Sequence, residues 1–244
     1  MSTRRINLCS GPRNISTALM YAFAQRDDTK VIDEPFYAFY LRETGKEHPG
    51  REEVLKAQSD DPRKVFENLL SDEYNKPVLF IKNMAHHMGL LDKTFFDGFT
   101  HIFLIRDPEE MLTSFIKTIP DPSLRDTAYK EQYEIFRYVV REPGHEPIVI
   151  DSRELLLNPE RVLAETCRKA GIDFDPAMLT WKKGPIPEDG IWAKYWYENV
   201  HQSTGFKAYE PKNEEVPEHL NPLLEKCSEY YNELYSHAIK AGDG

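Results

Sequence analysis

A three-layer α/β/α fold with a mainly parallel sheet is what this sequence predicts, on three observations. Short apolar runs alternate with segments of helical period along the chain, the signature of strand and crossover helix repeated. The first run leads into a Gly-Pro-Arg turn and then a Ser-Thr helix start, a strand-turn-helix joint of the kind that holds anions. At 244 residues and 40% hydrophobic, the chain is long enough for one full core. A single domain over 1–244 is therefore expected.

The expected strands are Ile6–Cys9, Val31–Ile32, Val78–Ile81, His101–Ile105 and Ile148–Ile150. Between them, Ile15, Leu19 and Phe23 recur at helical spacing, and Met111, Leu112, Phe115, Ile116 and Ile119 form a second stripe suited to a sheet face. Right-handed crossovers then bring the carboxyl ends of the strands, and any ligand, to one edge. Residues 42–76 break the rhythm, with charge throughout and helix-like pieces at Val54–Ala57 and Val65–Leu70, and read as a helical insertion or lid. Leu220, Leu223, Leu224, Cys227, Tyr231 and Leu234 share one helical face, so a C-terminal helix is expected over 217–241.

Composition narrows the partners. Lys and Arg total 31 against 41 Asp and Glu, a net charge of −10, which argues against nucleic acid or an anionic membrane as the main partner. Any anion site must be built locally. Cys9, Cys167 and Cys227 are far apart and odd in number, consistent with free thiols in a reducing compartment. The chain shows neither a signal-peptide run nor a membrane span, and a cytoplasmic location is expected. Metal binding has no support, since Cys-x-x-Cys and His-x-x-x-His spacings are lacking and neighbouring His86 and His87 do not readily face one ion.

The turn after the first strand, "GPRNIST", resembles a triphosphate loop only in part. Aligning Thr17 with the loop's final hydroxyl puts Ser16 at the lysine and Ile15 at the second glycine, so the kinase pattern fails twice. What remains is Gly11, Pro12, Arg13, Asn14, Ser16 and Thr17 at a helix start whose dipole favours an anion. The alternative is a joint shaped by Pro12 and capped by Ser16 or Thr17. A second signal lies in "HIFLIRDPEEMLTSFIK". Asp107 is a good N-cap with Pro108 and Glu110 behind it, which puts Arg106 at a strand end and Ser114 about two turns along the helix, a pair suited to phosphate. The competing reading pairs Arg106 with a nearby carboxylate and back-bonds Ser114 to its own helix.

On these residues the chain resembles the sulfotransferases that use 3′-phosphoadenosine 5′-phosphosulfate (PAPS). "GPRNIST" looks like their 5′-phosphosulfate loop, and "RDPEEMLTS" like their 3′-phosphate motif with Arg106 and Ser114 at its two functional positions. "KKGPIPEDGIW" is similar to the late basic loop over the 3′-phosphate, adding Lys182, Lys183 and Gly184. The resemblance implies a P-loop NTPase-like sulfotransferase fold and transfer of a sulfuryl group from PAPS to a hydroxyl or amine of a small-molecule acceptor, without a metal. Ile15 stands where the family commonly has glycine, and a β-branched residue tolerates positive φ poorly. The turn is therefore expected to take a different backbone route or to bind its anion less snugly. Arginine at position 13 replaces the lysine of the cytosolic branch and keeps the charge.

The expected chemistry gives Arg13 and the helix N–H groups the charge developing on the leaving phosphate. An acceptor hydroxyl also needs a base. Glu34, just past the second strand, is the first candidate; His86 or His87 after the third strand is the rival, with Lys82 as a second cation near the transferred group. The clusters "FYAFY" and "WAKYWY" suit an apolar acceptor pocket as well as core packing, within variable stretches at 36–74 and 186–206. Two other readings stay open: a non-catalytic nucleotide- or phosphometabolite-binding protein of the same fold, and a P-loop kinase.

Overall fold

The computed structural model describes residues 3–71, 74–141, 146–211 and 214–242. Its strands are β1 (Arg4–Ser10), β2 (Thr29–Asp33), β3 (Val78–Met84), β4 (Thr100–Ile105), β5 (Ile148–Asp151) and β6 (Ala238–Ile239). They pair in the order β2-β3-β1-β4-β5-β6, every pair parallel. The apolar runs are continuous rather than alternating because both faces of the sheet are covered. Ile6, Leu8, Phe80, Ile102, Leu104, Ile148 and Ile150 feed one core, while Cys9, Phe103, Ile105 and Val149 feed the core on the other face.

The helices are α1 (Ser16–Ala24), α2 (Tyr37–Thr44), α3 (Arg51–Ala57), α4 (Pro62–Leu70), α5 (Ala85–Met88), α6 (Pro108–Phe115), α7 (Leu124–Thr127), α8 (Tyr129–Val139), α9 (Ser152–Leu157), α10 (Pro159–Ala170), α11 (Ala193–Trp196), α12 (Glu198–His201) and α13 (Asn221–Tyr235). Leu19, Met20 and Phe23 of α1 and Val162, Leu163 and Cys167 of α10 pack on the first face. Ile135 and Phe136 of α8 and Leu234 of α13 cover the second. Cys9, Cys167 and Cys227 are all free and buried.

Two expectations are corrected here. The helix expected over 217–241 is shorter: a 3-10 turn at Glu218–Leu220 leads into α13, which ends at Tyr235. Beyond it, small Ala238 and β-branched Ile239 pair with Val149 and Ile150 and extend the sheet edge as β6, which buries both residues. The stretch 42–76, of which residues 72 and 73 lie outside the described residues, is not wholly a surface insertion. Asp61 caps α4 with Pro62 at its first position, and Val65 and Leu69 of α4 pack on Leu79 and Ile81 of β3, so this half is a sheet-covering crossover.

The order of strands reverses at β1, with β3 and β2 on one side and β4 to β6 on the other. Ligands in open α/β sheets gather at such a switch point. Here β1 and β4 are bridged at their carboxyl ends by Gln132 of α8, a buried side chain whose Nε2 donates to the carbonyls of Cys9 and Leu104, both at 2.9 Å. No helix among the described residues is long and apolar enough to cross a membrane.

Candidate active site

The turn after β1 bends at Arg13, whose φ is +54°, while Ile15 sits at φ −90° as the N-cap of α1. The left-handed position has thus moved two residues from where the motif's glycine would stand, and Ile15 is unstrained. Neither Ser16 nor Thr17 caps the helix: Ile15 is the N-cap and no side chain caps α1. The first N–H groups of the helix are therefore left for an anion rather than for the protein. Asn14 fixes the turn, accepting from the Ile15 N–H at 2.9 Å and donating to the Leu104 carbonyl at 3.0 Å. Gly11 lets α7 approach, since a Cβ there would stand 3.3 Å from the Thr127 carbonyl.

Arg13, Arg106 and Ser114 converge as the two motifs imply. Arg13 Nε donates to Ser114 Oγ at 3.0 Å, and Arg106 Nη1 donates to the Arg13 carbonyl at 2.7 Å. Burial, and then the Arg106 charge, lower the pKa of the Arg13 guanidinium. Arg106 also meets Glu110 of α6 at 3.2 Å, and Tyr209 donates to the same carboxylate. Arg106 thus bonds the turn on one side and is ion-paired to Glu110 on the other. The late loop, like Arg106 and Ser114, lies outside the cavity lining. Lys182 and Lys183 are exposed and do not line the cavity, and Gly184, at φ +116°, donates its N–H to the His201 carbonyl at 2.9 Å. Tyr21 of α1 and His201 both bond Asp189, at 2.7 and 2.9 Å, holding this loop to the flank of α1.

A cavity of about 240 Å³ lies over the carboxyl ends of β1, β2 and β3. Gly11 to Asn14, Ser16 and Thr17 form one wall, and Glu34, Lys82, His86 and His87 the floor. The remaining walls are aromatic and apolar: Tyr37, Tyr40, Phe115, Ile119, Trp192, Trp196 and Tyr197. Met84, Thr118, Lys46, His48 and Asp126 complete the lining, and Lys46 is ion-paired to Asp126 of α7. Burial works against the Asp126 carboxylate, but Lys46 and the Ser123 hydroxyl and N–H overcome it and hold the pKa down at about 2.

Glu34 has φ +39°, rare for a residue with a Cβ. Its backbone is held in that conformation on both sides. The N–H donates to the Lys82 carbonyl at 2.8 Å, and the carbonyl accepts from the Tyr37 N–H and the Gln58 amide, both at 3.1 Å. Its carboxylate meets Lys82, which is almost wholly buried. Lys82 Nζ also donates to Asp33 at 2.9 Å and to the Tyr197 hydroxyl at 2.8 Å. An ammonium has three hydrogens, and all three of these are engaged by the protein. In this structure Lys82 holds Asp33 and Glu34 while still lining the cavity. Burial opposes the ammonium, yet Asp33 and Glu34 outweigh it and raise its pKa; burial also raises that of Glu34, with Lys82 opposing.

Of the two histidines, His87 lies nearer the carboxylate, its Nδ1 3.8 Å from Glu34 Oε2 and its ring stacked on Tyr37. His86 lies edge-on to Tyr40. Both Nδ1 atoms are buried without a hydrogen-bond partner. Burial, helped by His48, pushes the pKa of His86 down to about 3, and burial with His86 beside it takes His87 well below the usual imidazole range. Among the described residues no group of three or more His, Cys, Asp or Glu side chains could hold a metal ion. Sequence reasoning missed Asp33, Lys46, His48 and Asp126, and named Tyr197 and Trp192 only as members of an aromatic cluster. Asp33 had a local signal, a carboxylate at the end of the same strand as Glu34.

The sulfotransferase domain family matches residues 4–238. The chain belongs to the sulfotransferase domain family. Two Arabidopsis thaliana proteins, branched-chain-amino-acid aminotransferase-like proteins 2 and 1, are 38% and 40% identical to it over 234 residues. That span is 95% of this chain but only 41% and 42% of theirs, so the sulfotransferase domain covers about two-fifths of the length of these relatives. Among solved structures, the sulfotransferase domain of the curacin biosynthetic pathway superposes with a TM-score of 0.64 at 15% identity, covering 95% of this chain and 98% of its own. The sulfotransferase domain of the Synechococcus PCC 7002 olefin synthase gives 0.60 at 18%, covering 95% and 96%. These likenesses establish the fold, a parallel-sheet sulfotransferase fold of the P-loop-like kind.

Proposed function

We propose that this sulfotransferase domain uses PAPS and moves its sulfuryl group to a hydroxyl or amine of a small-molecule acceptor. One observation carries the reading: the uncapped, arginine-bearing turn and Glu34 open onto the same aromatic-walled cavity. The residues present fit the anionic groups of PAPS, with the first N–H groups of α1 and Arg13 for the phosphosulfate, and Arg106 and the Ser114 hydroxyl, both bonded to Arg13, for the 3′-phosphate. PAPS would supply the activated sulfuryl group. Arg13 and the start of α1 would hold its 5′-phosphate and take up the charge released when the sulfur–oxygen bond breaks. Glu34 would accept the acceptor's proton as the new bond to sulfur forms. A base works best with a pKa near the working pH, so a carboxyl raised by burial suits the task better than His86 at about 3.

The engagement of Lys82 by Glu34 and of Arg106 by Glu110 favours, as the second reading, a non-catalytic binder of nucleotides or phosphometabolites. A thermal melt with adenosine 3′,5′-bisphosphate (PAP) and no magnesium tests the site. PAP is expected to raise the Tm; stabilisation by ATP–magnesium and none by PAP refutes the PAPS reading. Sulfuryl transfer from PAPS to members of a phenol, alcohol and amine panel then separates enzyme from binder.

A further inference from the structure

Two carboxylates and one ammonium are buried together at the cavity floor, an arrangement with one negative charge to spare. Asp33 and Glu34 are consecutive residues at the end of β2, and both reach Lys82 of β3. Their surroundings differ. Asp33 accepts from Lys82 at 2.9 Å, from the Tyr197 hydroxyl at 2.7 Å and from the Gly190 N–H at 3.1 Å, and Trp192 Nε1 donates to that same hydroxyl at 3.1 Å. Glu34 has Lys82 as its hydrogen-bond donor, and its other oxygen faces His87 across 3.8 Å. Glu34 lines the cavity; Asp33 does not.

We propose that Asp33 is a positioning residue that shares the charge of Lys82 through Tyr197 and Gly190, leaving Glu34 as the one carboxylate of the set that exchanges a proton with the cavity. The inference rests on the reading of Glu34 as the acceptor's base. Without Asp33, Lys82 and Glu34 form a neutral one-to-one pair, and a paired carboxylate is a poor base. With Asp33 present, the set holds an excess negative charge, and a like charge beside Glu34 keeps its proton affinity up.

The other groups facing Glu34 do not supply that charge. From α5 come His86 and His87, whose imidazoles burial keeps uncharged; from α2 comes Tyr37, whose phenol burial and then Glu34 itself raise further. Tyr197 is likewise held protonated by burial and by Asp33. The Gln58 amide meets only the backbone carbonyl. Asp33 is the other carboxyl group that bonds Lys82.

The test reads Glu34 directly, by carbon-13 NMR of the full chain labelled on glutamate side-chain carboxyl carbons, the Glu34 signal being assigned by its loss in Glu34→Gln. In the wild type it is expected to titrate above the ordinary glutamate range. In Asp33→Asn it is expected to fall by about one to three pH units, and the acidic limb of turnover to move with it. Asp33→Ser makes the same change of charge with less bulk, and the wild-type titration requires neither variant. Wild-type titration at or below the ordinary range overturns the inference, as does a titration unchanged in either folded variant. If no acceptor is turned over, the PAPS reading of catalysis fails while the titration still decides the role of Asp33.

Discussion

Replacing Lys82 by methionine is expected to destabilise the fold more than any other single change in the cavity, and to do so in a pH-dependent way. Methionine keeps most of the length of the stem but removes the ammonium from between Asp33 and Glu34, each less than a tenth exposed. Removing one partner of a buried ion pair leaves an uncompensated charge and costs about 3–5 kcal/mol; here two carboxylates are left facing each other. In a domain of this size about 2–4 °C of Tm follow each kcal/mol, so the Tm is expected to drop by roughly 10 °C. The sign of the pH effect follows from linkage. Burial raises the folded pKa of Glu34 and Lys82 is the main group opposing it, so without Lys82 that value rises further, and stability is present at low pH and lost as pH rises through it. Urea denaturation of wild type and variant at about pH 5 and about pH 8 should show the larger deficit at the higher pH. A loss below about 1 kcal/mol, or an equal loss at both values, refutes the picture of a buried, charge-bearing floor.

Glu34→Gln is expected to cut turnover roughly 10²–10⁴-fold with PAP affinity unchanged, and to abolish the acidic limb of the rate profile, whereas His86→Asn costs much less; the reverse order would make the histidine the base. Arg106→Ala removes the donor to the Arg13 carbonyl as well as a cation beside the turn, and should cost on the order of 1.5–3 kcal/mol of PAP affinity by calorimetry. An unchanged affinity with a lowered Tm would make Arg106 purely structural. Trp196 is 43% exposed at the cavity rim, so Trp196→Ala should leave the Tm nearly unchanged while weakening aromatic acceptors by about 0.5–1.5 kcal/mol in KM. KM values untouched across an aromatic panel would remove Trp196 from the acceptor site.

β1, β3, β4 and β5 were legible because each carries a run of consecutive buried apolar residues, while β2, at the sheet edge with alternating burial, showed only Val31–Ile32. β6 was not: Ala238–Ile239 is two residues long and earns its place only by pairing with β5. Asp61-Pro62 marked the start of α4, but no local pattern says that Val65 and Leu69 meet β3 rather than solvent. In the site, Arg13, Ser114, Glu34 and Lys82 were readable from their positions at strand ends and helix flanks. The Arg106–Glu110 pair was equally visible as an i,i+4 spacing. What escaped were partners distant in sequence, above all Tyr197 and Gly190, which reach back more than 150 residues to Asp33. The anchoring of the late basic loop escaped for the same reason, since Tyr21 and His201 tie it to the rest of the domain through Asp189.

The amide of Gln132 gives the crevice between β1 and β4 a gauge of fixed length. Its two hydrogens reach one carbonyl on each strand, so the carboxyl ends of β1 and β4, already paired as far as Ser10 and Leu104, are also tied from beneath by a buried residue of α8. Redesign of this domain for new acceptors therefore has two separate territories. The aromatic rim from Tyr37 to His48 and from Trp192 to Tyr197 can be exchanged with the gauge left in place. Removing the side chain at 132 would instead take this shared donor from the Cys9 and Leu104 carbonyls, leaving Leu104 its bond from Asn14, whatever residues line the rim.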